Sequence, residues 1–325
     1  MTRPFQPRTW LRSGHAQTIA SFLLRRRNTL PKAEERLVEV APGIRLLCYC
    51  NWQADHRSAL TLVAVHGLEG SSSSAYMEGI AAKGLAAGMN VVRVNQRNCG
   101  DTDHLAPTLY HSGLSSDMMQ VAEHLLSTEG LQRMALTGYS MGGNLMLKAA
   151  GEWGSACPPQ LKSVAVVCPA MDLAACADAL NEPANWLYQV YFVRRLKQRL
   201  AKKARLFPEH FNMAAGATVK TVREFDDKVT APFSGFRDAD DYYFRASAAR
   251  VVEQITVPTL ILHASDDPFV RLLPETREKV LANPAIQLVE TAHGGHCAFL
   301  GERNGYDGHW AEHEVTAFSR YFSEQ

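Results

Sequence analysis

The sequence has no uninterrupted apolar run of the length a membrane-spanning helix needs, so a helical membrane protein is not expected. It also has almost no net charge. The balance of 34 basic and 33 acidic residues leaves +1 at pH 7, which gives no global attraction to nucleic acid or to acidic membranes. No Gly-x-Gly-x-x-Gly and no Walker motif is present, so no dinucleotide or nucleoside triphosphate cofactor is expected. The opening stretch, Met1 to Pro7, lacks the apolar core of a secretory signal. The seven cysteines are odd in number and scattered. Cys48-x-Cys50 would share one strand face, but no second pair completes a metal site. A reducing, cytoplasmic setting without disulfides is the expectation. What is there is an ordinary globular composition, 46% apolar and 21% charged, long enough for one large core and an insert.

Apolar runs alternate with helical pattern over most of the chain. Residues 37–40 and 44–49 flank Pro42-Gly43 as a hairpin, and strands are predicted at 60–65, 90–94, 134–139, 163–168, 258–262 and 286–289. Helical pattern fills 75–87, 114–126 and 144–152. Eight strands spaced this way predict an α/β fold: a mostly parallel sheet with helices on both faces and its site at the carboxyl ends of the strands. Between Asp172 and Val257 no strand is evident, so 172–257 is expected to be a helical cap insert. The core is then 35–171 and 258–325, with 1–34 as a segment packed on it through residues such as Phe5, Trp10, Leu11 and Phe22. Arg25-Arg26-Arg27 and those aromatics also fit an interfacial anchor, though Pro4, Pro7 and Gly14 interrupt the run. The cap carries a basic run from Arg194 to Arg205. Its simplest reading is a solvated helix face; the sharper one is weak contact with a membrane surface or an anionic substrate. No nucleic acid and no obligate protein partner is expected.

The chemistry centres on Gly138-x-Ser140-x-Gly142, the spacing of a nucleophile elbow between a strand and a helix. Such a turn lifts the serine hydroxyl clear of both elements, and the helix N-terminus aims free N–H groups at any oxyanion formed there. A serine needs a base to take its proton and an acid to orient that base. Two late strands run into candidates: Asp266-Asp267-Pro268, and His293-Gly294-Gly295-His296. The assignment is Ser140 as nucleophile, His296 as base and Asp267 as acid. Asp172 is the competing acid, more simply read as the N-cap of the helix it opens. The oxyanion donors are assigned to Met141 N–H, next to the nucleophile, and Leu68 N–H in the loop His66-Gly67-Leu68-Glu69-Gly70. His309-x-x-Glu312-His313 matches an inverted zinc-protease pattern, but Trp310, Phe318 and Phe322 make an apolar stripe there, so a packed terminal helix and no metal is expected.

These residues resemble the α/β-hydrolase superfamily, and within it the YheT-like, embryogenesis-associated branch of serine esterases. Besides the elbow, the likeness rests on Gly14-His15-x-Gln17-Thr18, His66 to Ser71, Asn95-x-Arg97-Asn98, Leu109 to Gly113, Arg223 to Asp227, Asp241 to Tyr243, Asp266 to Pro268 and Gly294 to His296. It covers nearly the whole chain, the cap included. The resemblance implies a carboxylesterase or acylglycerol-lipase activity on short- or medium-chain acyl esters, without metal or organic cofactor. An acyltransferase or thioesterase using the same triad, and a non-catalytic binding module on the same fold, are the alternatives.

Overall fold

The computed structural model describes residues 3–24, 26 and 29–325. Arg25 and Arg27 of the early arginine run lie outside the described residues. In chain order the strands are β1 (Glu34–Ala41), β2 (Ile44–Asn51), β3 (Thr61–Val65), β4 (Asn90–Val94), β5 (Met134–Tyr139), β6 (Leu161–Val167), β7 (Thr259–Ala264) and β8 (Ile286–Thr291). The longer helices are α1 (Gly14–Leu23), α2 (Ala75–Ala86), α3 (Ser115–Thr128), α4 (Met141–Trp153), α5 (Leu173–Leu180), α6 (Trp186–Leu206), α7 (Ala239–Ala246), α8 (Pro274–Ala282) and α9 (Trp310–Ser323).

The eight strands form one sheet in the order β1-β2-β4-β3-β5-β6-β7-β8. The β1–β2 hairpin, turned at Gly43 with φ 72°, is antiparallel, as is the β2–β4 pair. All other pairs are parallel. Composition explains the layering. In β3, Leu62 and Ala64 pack with Met77, Ile80 and Trp310 on one face, while Val63 and Val65 pack with Met146 and Leu147 on the other. Every residue of β3, β4 and β5 is therefore buried, the mark of strands covered on both faces. Edge strand β1 instead alternates, with Val38 and Val40 buried among exposed Glu35 and Glu39.

Residues 172–257 contain no strand. Their apolar side chains join Leu109, Ala170, Phe269 and Val270, from loops at the carboxyl ends of the strands, in a separate buried cluster. The basic run in α6 departs from a purely solvated face. The Lys203 ammonium is fully buried and donates to the carbonyls of Asp103 and Ala106, and Arg199 is folded inward. Arg194 and Arg205 remain exposed.

The N-terminal segment is packed only in part. Phe5 lies against Phe299 and Trp310, and Leu11 and Gln17 are buried. Trp10, Phe22 and Leu23 are exposed instead. In α9, Trp310 is buried, and Glu312 is paired with Arg26 and Lys83. Among the described residues no helix is long and apolar enough to cross a membrane.

Asp172 precedes α5 but does not cap it with its side chain. It accepts instead from Leu273 N–H at 3.1 Å and from the Thr276 hydroxyl at 2.7 Å, so it caps α8, about a hundred residues downstream. Asp172→Ala removes both acceptors. It is expected to cost about 1–2 kcal/mol, the loss of a helix cap and a buried hydrogen bond, read as a lowered urea midpoint with turnover of the folded enzyme retained.

Candidate active site

Ser140 joins β5 to α4 with φ 55° and ψ −119°, a left-handed conformation costing roughly 1–3 kcal/mol for a residue with a side chain. Hydrogen bonds hold it there: its N–H donates to Val167 O at 2.9 Å, and its C=O accepts from Asn144 N–H at 3.0 Å. A Cβ on Gly138 would stand 2.2 Å from Gly142 O, and one on Gly142 2.5 Å from His66 O. Side chains at either position would collide with backbone, which is why glycines occupy this spacing. Helix α4 starts at Met141, three residues before the expected Asn144, because the serine itself ends the strand and accepts the first helical bond.

Asp267 and His296 are brought together. Asp267 Oδ2 accepts from His296 Nδ1 at 2.8 Å, while its Oδ1 accepts from the N–H groups of Phe269 (3.1 Å) and Val270 (2.9 Å). Burial raises the Asp267 carboxyl, but the imidazole's charge and these hydrogen bonds outweigh it and hold it below the usual range. Asp266 points the other way. Its Oδ1 accepts from Gly295 N–H at 2.8 Å, and its Oδ2 faces His293 at 3.5 Å. The two neighbouring acids thus serve one loop: one orients the His296 ring, the other the backbone that carries it. Asp172 faces α8 and is not part of this group.

No hydrogen bond joins Ser140 to His296 among the described residues. The Val167 carbonyl accepts from Ser140 N–H at 2.9 Å and from the Sγ of Cys297, the residue after His296, at 3.4 Å. The polar neighbour of His296 Nε2 is Cys297 Sγ at 3.9 Å. Catalytic hydrogen bonds commonly tighten only when substrate is bound. Burial lowers the His296 imidazole, but the Asp267 carboxylate and the Cys297 sulfur override it and raise the group well above 6.5. A protonated ring cannot accept the serine proton. The expected result is therefore kcat/KM that rises with pH through a midpoint above 6.5, and that midpoint falls in Asp267→Asn; a pH profile on a soluble ester reads both.

The loop bearing Leu68 is fixed from below. His66 is buried, with Nδ1 donating to Gly67 O at 2.8 Å and Nε2 accepting from Gln96 N–H at 3.2 Å. Burial brings it down to about 4, so it stays neutral and keeps that tautomer. Gly67 N–H donates to Tyr76 Oη at 3.0 Å. Glu69 N–H donates to Tyr110 Oη at 3.1 Å, and the Tyr110 hydroxyl returns a bond to Glu69 Oε1 at 2.7 Å. Arg199 of α6 then grips the Glu69 carboxylate with Nε at 2.8 Å and Nη2 at 3.0 Å. Among the described residues no acceptor takes the N–H of Leu68 or of Met141, so both are available to a developing oxyanion.

A cavity of about 100 Å³ opens on Ser140, Leu68 and Met141 and is otherwise mainly apolar, with Leu173, Leu196 and Phe225 in its walls. Phe269 also lines it and lies over the His296 ring, the two centroids 4.3 Å apart. Asp226 sits in the wall with its carboxylate accepting from the Thr230 hydroxyl (2.7 Å) and the Tyr243 hydroxyl (2.8 Å). Among the described residues no group of histidines, cysteines and acids could hold a metal ion.

Residue-by-residue reading missed the support of the histidine loop. Thr18 Oγ1 accepts from His296 N–H at 2.8 Å, and a Cβ on Gly14 would stand 1.7 Å from Asp266 O. Helix α1 is thus pressed against both the acid loop and the base loop. Gly14, Gln17 and Thr18 entered only through the family likeness, since a short polar motif far upstream carries no local sign of its partner.

A profile described as the alpha/beta hydrolase fold matches residues 61–302. The chain is 32% identical over 316 residues to "Putative esterase YheT" of Escherichia coli (strain K12), covering 96% of this chain and 91% of that protein. It is 29% identical over 333 residues to "Phospholipase ABHD3" of Mus musculus, covering 100% and 78%. Against "Medium-chain fatty acid ethyl ester synthase/esterase 2" of Saccharomyces cerevisiae it is 26% identical, covering 81% and 62%. Among solved structures, the Pyrococcus furiosus esterase Pf2001 superposes with a TM-score of 0.59 at 16% identity, covering 91% and 96%, a likeness of fold. The chain belongs to the alpha/beta hydrolase fold family, in the branch of carboxylic-ester hydrolases that these relatives occupy.

Proposed function

We propose that this protein is a serine hydrolase of short- to medium-chain carboxylic esters or acylglycerols, working through an acyl-enzyme. The observation that carries the reading is the Asp267–His296 pair, 2.8 Å apart, packed against Phe269, which lines the same apolar cavity as the strained elbow serine. Ser140 Oγ attacks the ester carbonyl as His296 Nε2 takes its proton. The negative oxygen is held by Leu68 and Met141 N–H groups. His296 then protonates the leaving alcohol, and water, deprotonated by the same ring, releases the acid. No cofactor or protein partner enters these steps. Residues 172–257 act as a cap over the strand ends, supplying most of the cavity wall, and 35–171 with 258–325 form the catalytic core.

The reading is tested with a fluorophosphonate probe. The expected result is a single adduct at Ser140, located by peptide mass spectrometry and missing from Ser140→Ala. A binding module that kept only the fold stays unlabelled. A panel of p-nitrophenyl esters of rising chain length then assigns the acyl group. The yeast relative's name joins synthesis to hydrolysis, which favours acyl transfer to an alcohol as a second reading. Product analysis with and without added ethanol separates the two.

A further inference from the structure

Two exposed apolar surfaces meet beside the catalytic histidine. From α1 come Ile19, Phe22 and Leu23; from the first turns of α6 come Trp186, Leu187, Val190 and Tyr191. Phe22 is 74%, Leu23 70%, Trp186 62% and Leu187 64% exposed. The two helices touch here: the Phe22 and Tyr191 rings make an edge contact at 5.8 Å, and His15 stacks on Tyr188 at 5.7 Å, with Nδ1 3.1 Å from the phenol oxygen. Scattered exposed apolar residues are common, but a contiguous group of this size marks an interaction surface.

The remainder of α6 says which kind. The helix contains no acidic residue. Past Tyr191 its solvent side turns from apolar to cationic, through Arg194, Arg195, Lys202 and Arg205. Lys202 faces Asp101 and Asp103, and Arg195 reaches Glu69 at 3.7 Å. Arg194 and Arg205 have no carboxylate within ion-pair distance among the described residues. One helix face that carries large aromatic and aliphatic groups at one end and two unneutralised arginines, Arg194 and Arg205, further along suits the boundary of an anionic bilayer, where apolar groups enter the acyl region and guanidinium groups meet phosphates. A neutral protein partner would leave those arginines without counter-charge.

The position of the patch ties it to the active site. Tyr188 packs on Phe269 at 5.1 Å, and Phe269 on His296 at 4.3 Å. We propose that α1 and α6 together form a docking face that seats this enzyme on an anionic phospholipid bilayer, with Phe22, Leu23, Trp186 and Leu187 inserted and Arg194 and Arg205 on the headgroups. On the proposed reading as an ester hydrolase, this face is linked to the substrate cavity through Phe269, which lines the cavity and packs on both Tyr188 and His296.

The test is cosedimentation of the full chain with phosphatidylglycerol vesicles and with phosphatidylcholine vesicles, using Ser140→Ala so that binding is read whether or not the protein hydrolyses esters. Binding is expected to phosphatidylglycerol, weakening as salt rises, and much less to phosphatidylcholine. The triple variant Phe22→Ser, Trp186→Ser, Leu187→Ser alters exposed side chains only. It is expected to lose about tenfold or more in vesicle affinity, and in the Ser140 background to leave turnover of a water-soluble ester unchanged. Absence of binding to phosphatidylglycerol at low salt overturns the proposal. So does equal binding by the triple variant, or a wild-type dimer in solution that the triple variant converts to monomer without any vesicle binding.

Discussion

Ser140→Ala is expected to lower kcat on a p-nitrophenyl ester by roughly four to six orders of magnitude, with KM little changed. The hydroxyl removed is the only atom that forms the bond to substrate in the proposed mechanism. The cavity walls and the assigned N–H donors are left in place, so binding persists while the acyl-enzyme cannot form. The fold should persist as well. The positive φ at residue 140 is maintained by backbone hydrogen bonds to Val167 O and from Asn144 N–H, neither of which involves the side chain. Turnover within tenfold of wild type would sink the nucleophile assignment.

Asp267→Asn is expected to cost about three to four orders of magnitude in kcat while leaving the protein folded. The reason lies in the three hydrogen bonds of this carboxylate. Oδ1 already accepts two backbone N–H groups, from Phe269 and Val270. The amide oxygen of asparagine must take that place, because an NH2 group there would face two donors. The NH2 then points at His296 Nδ1, which can only accept from it. The imidazole proton moves to Nε2, and the base has no lone pair facing Ser140. Circular dichroism unchanged from wild type, together with the lost turnover, checks both halves; full activity in Asp267→Asn would reject Asp267 as the orienting acid.

Much of this architecture was legible in the residues because local and global signals agree. The elbow strand 134–139 was readable to the residue because the Gly138-x-Ser140-x-Gly142 spacing marks the turn at which it stops. The order of serine, acid and base followed from turn residues after two apolar strands. Other features were not legible, for a common physical reason: their partner is distant in sequence. Asp172 looks like the cap of the helix it precedes, yet it caps one beginning at Pro274. Lys203 looks like part of a solvated basic face, yet its ammonium meets carbonyls about a hundred residues upstream. Phe22 and Trp10 look like packing residues by composition alone, and only the fold leaves them outside. Hydrophobic periodicity reports which face is apolar; it does not report which charged group across the molecule a helix will meet.

The grip of Arg199 on Glu69 bears on how such enzymes can be recombined. Residues 172–257 look like an exchangeable module, a stretch to be replaced wholesale when a new specificity is wanted. They are not independent, because the guanidinium that neutralises the carboxylate next to Leu68 comes from inside them. A transplanted interval with no arginine at positions 195 and 199 leaves Glu69 as a buried charge with no counterion, a defect of roughly 3–5 kcal/mol, and it loosens the loop assigned to hold the oxyanion. Chimeras between relatives therefore have to inherit this pair as a unit, with recognition and rate acceleration passing together across the graft.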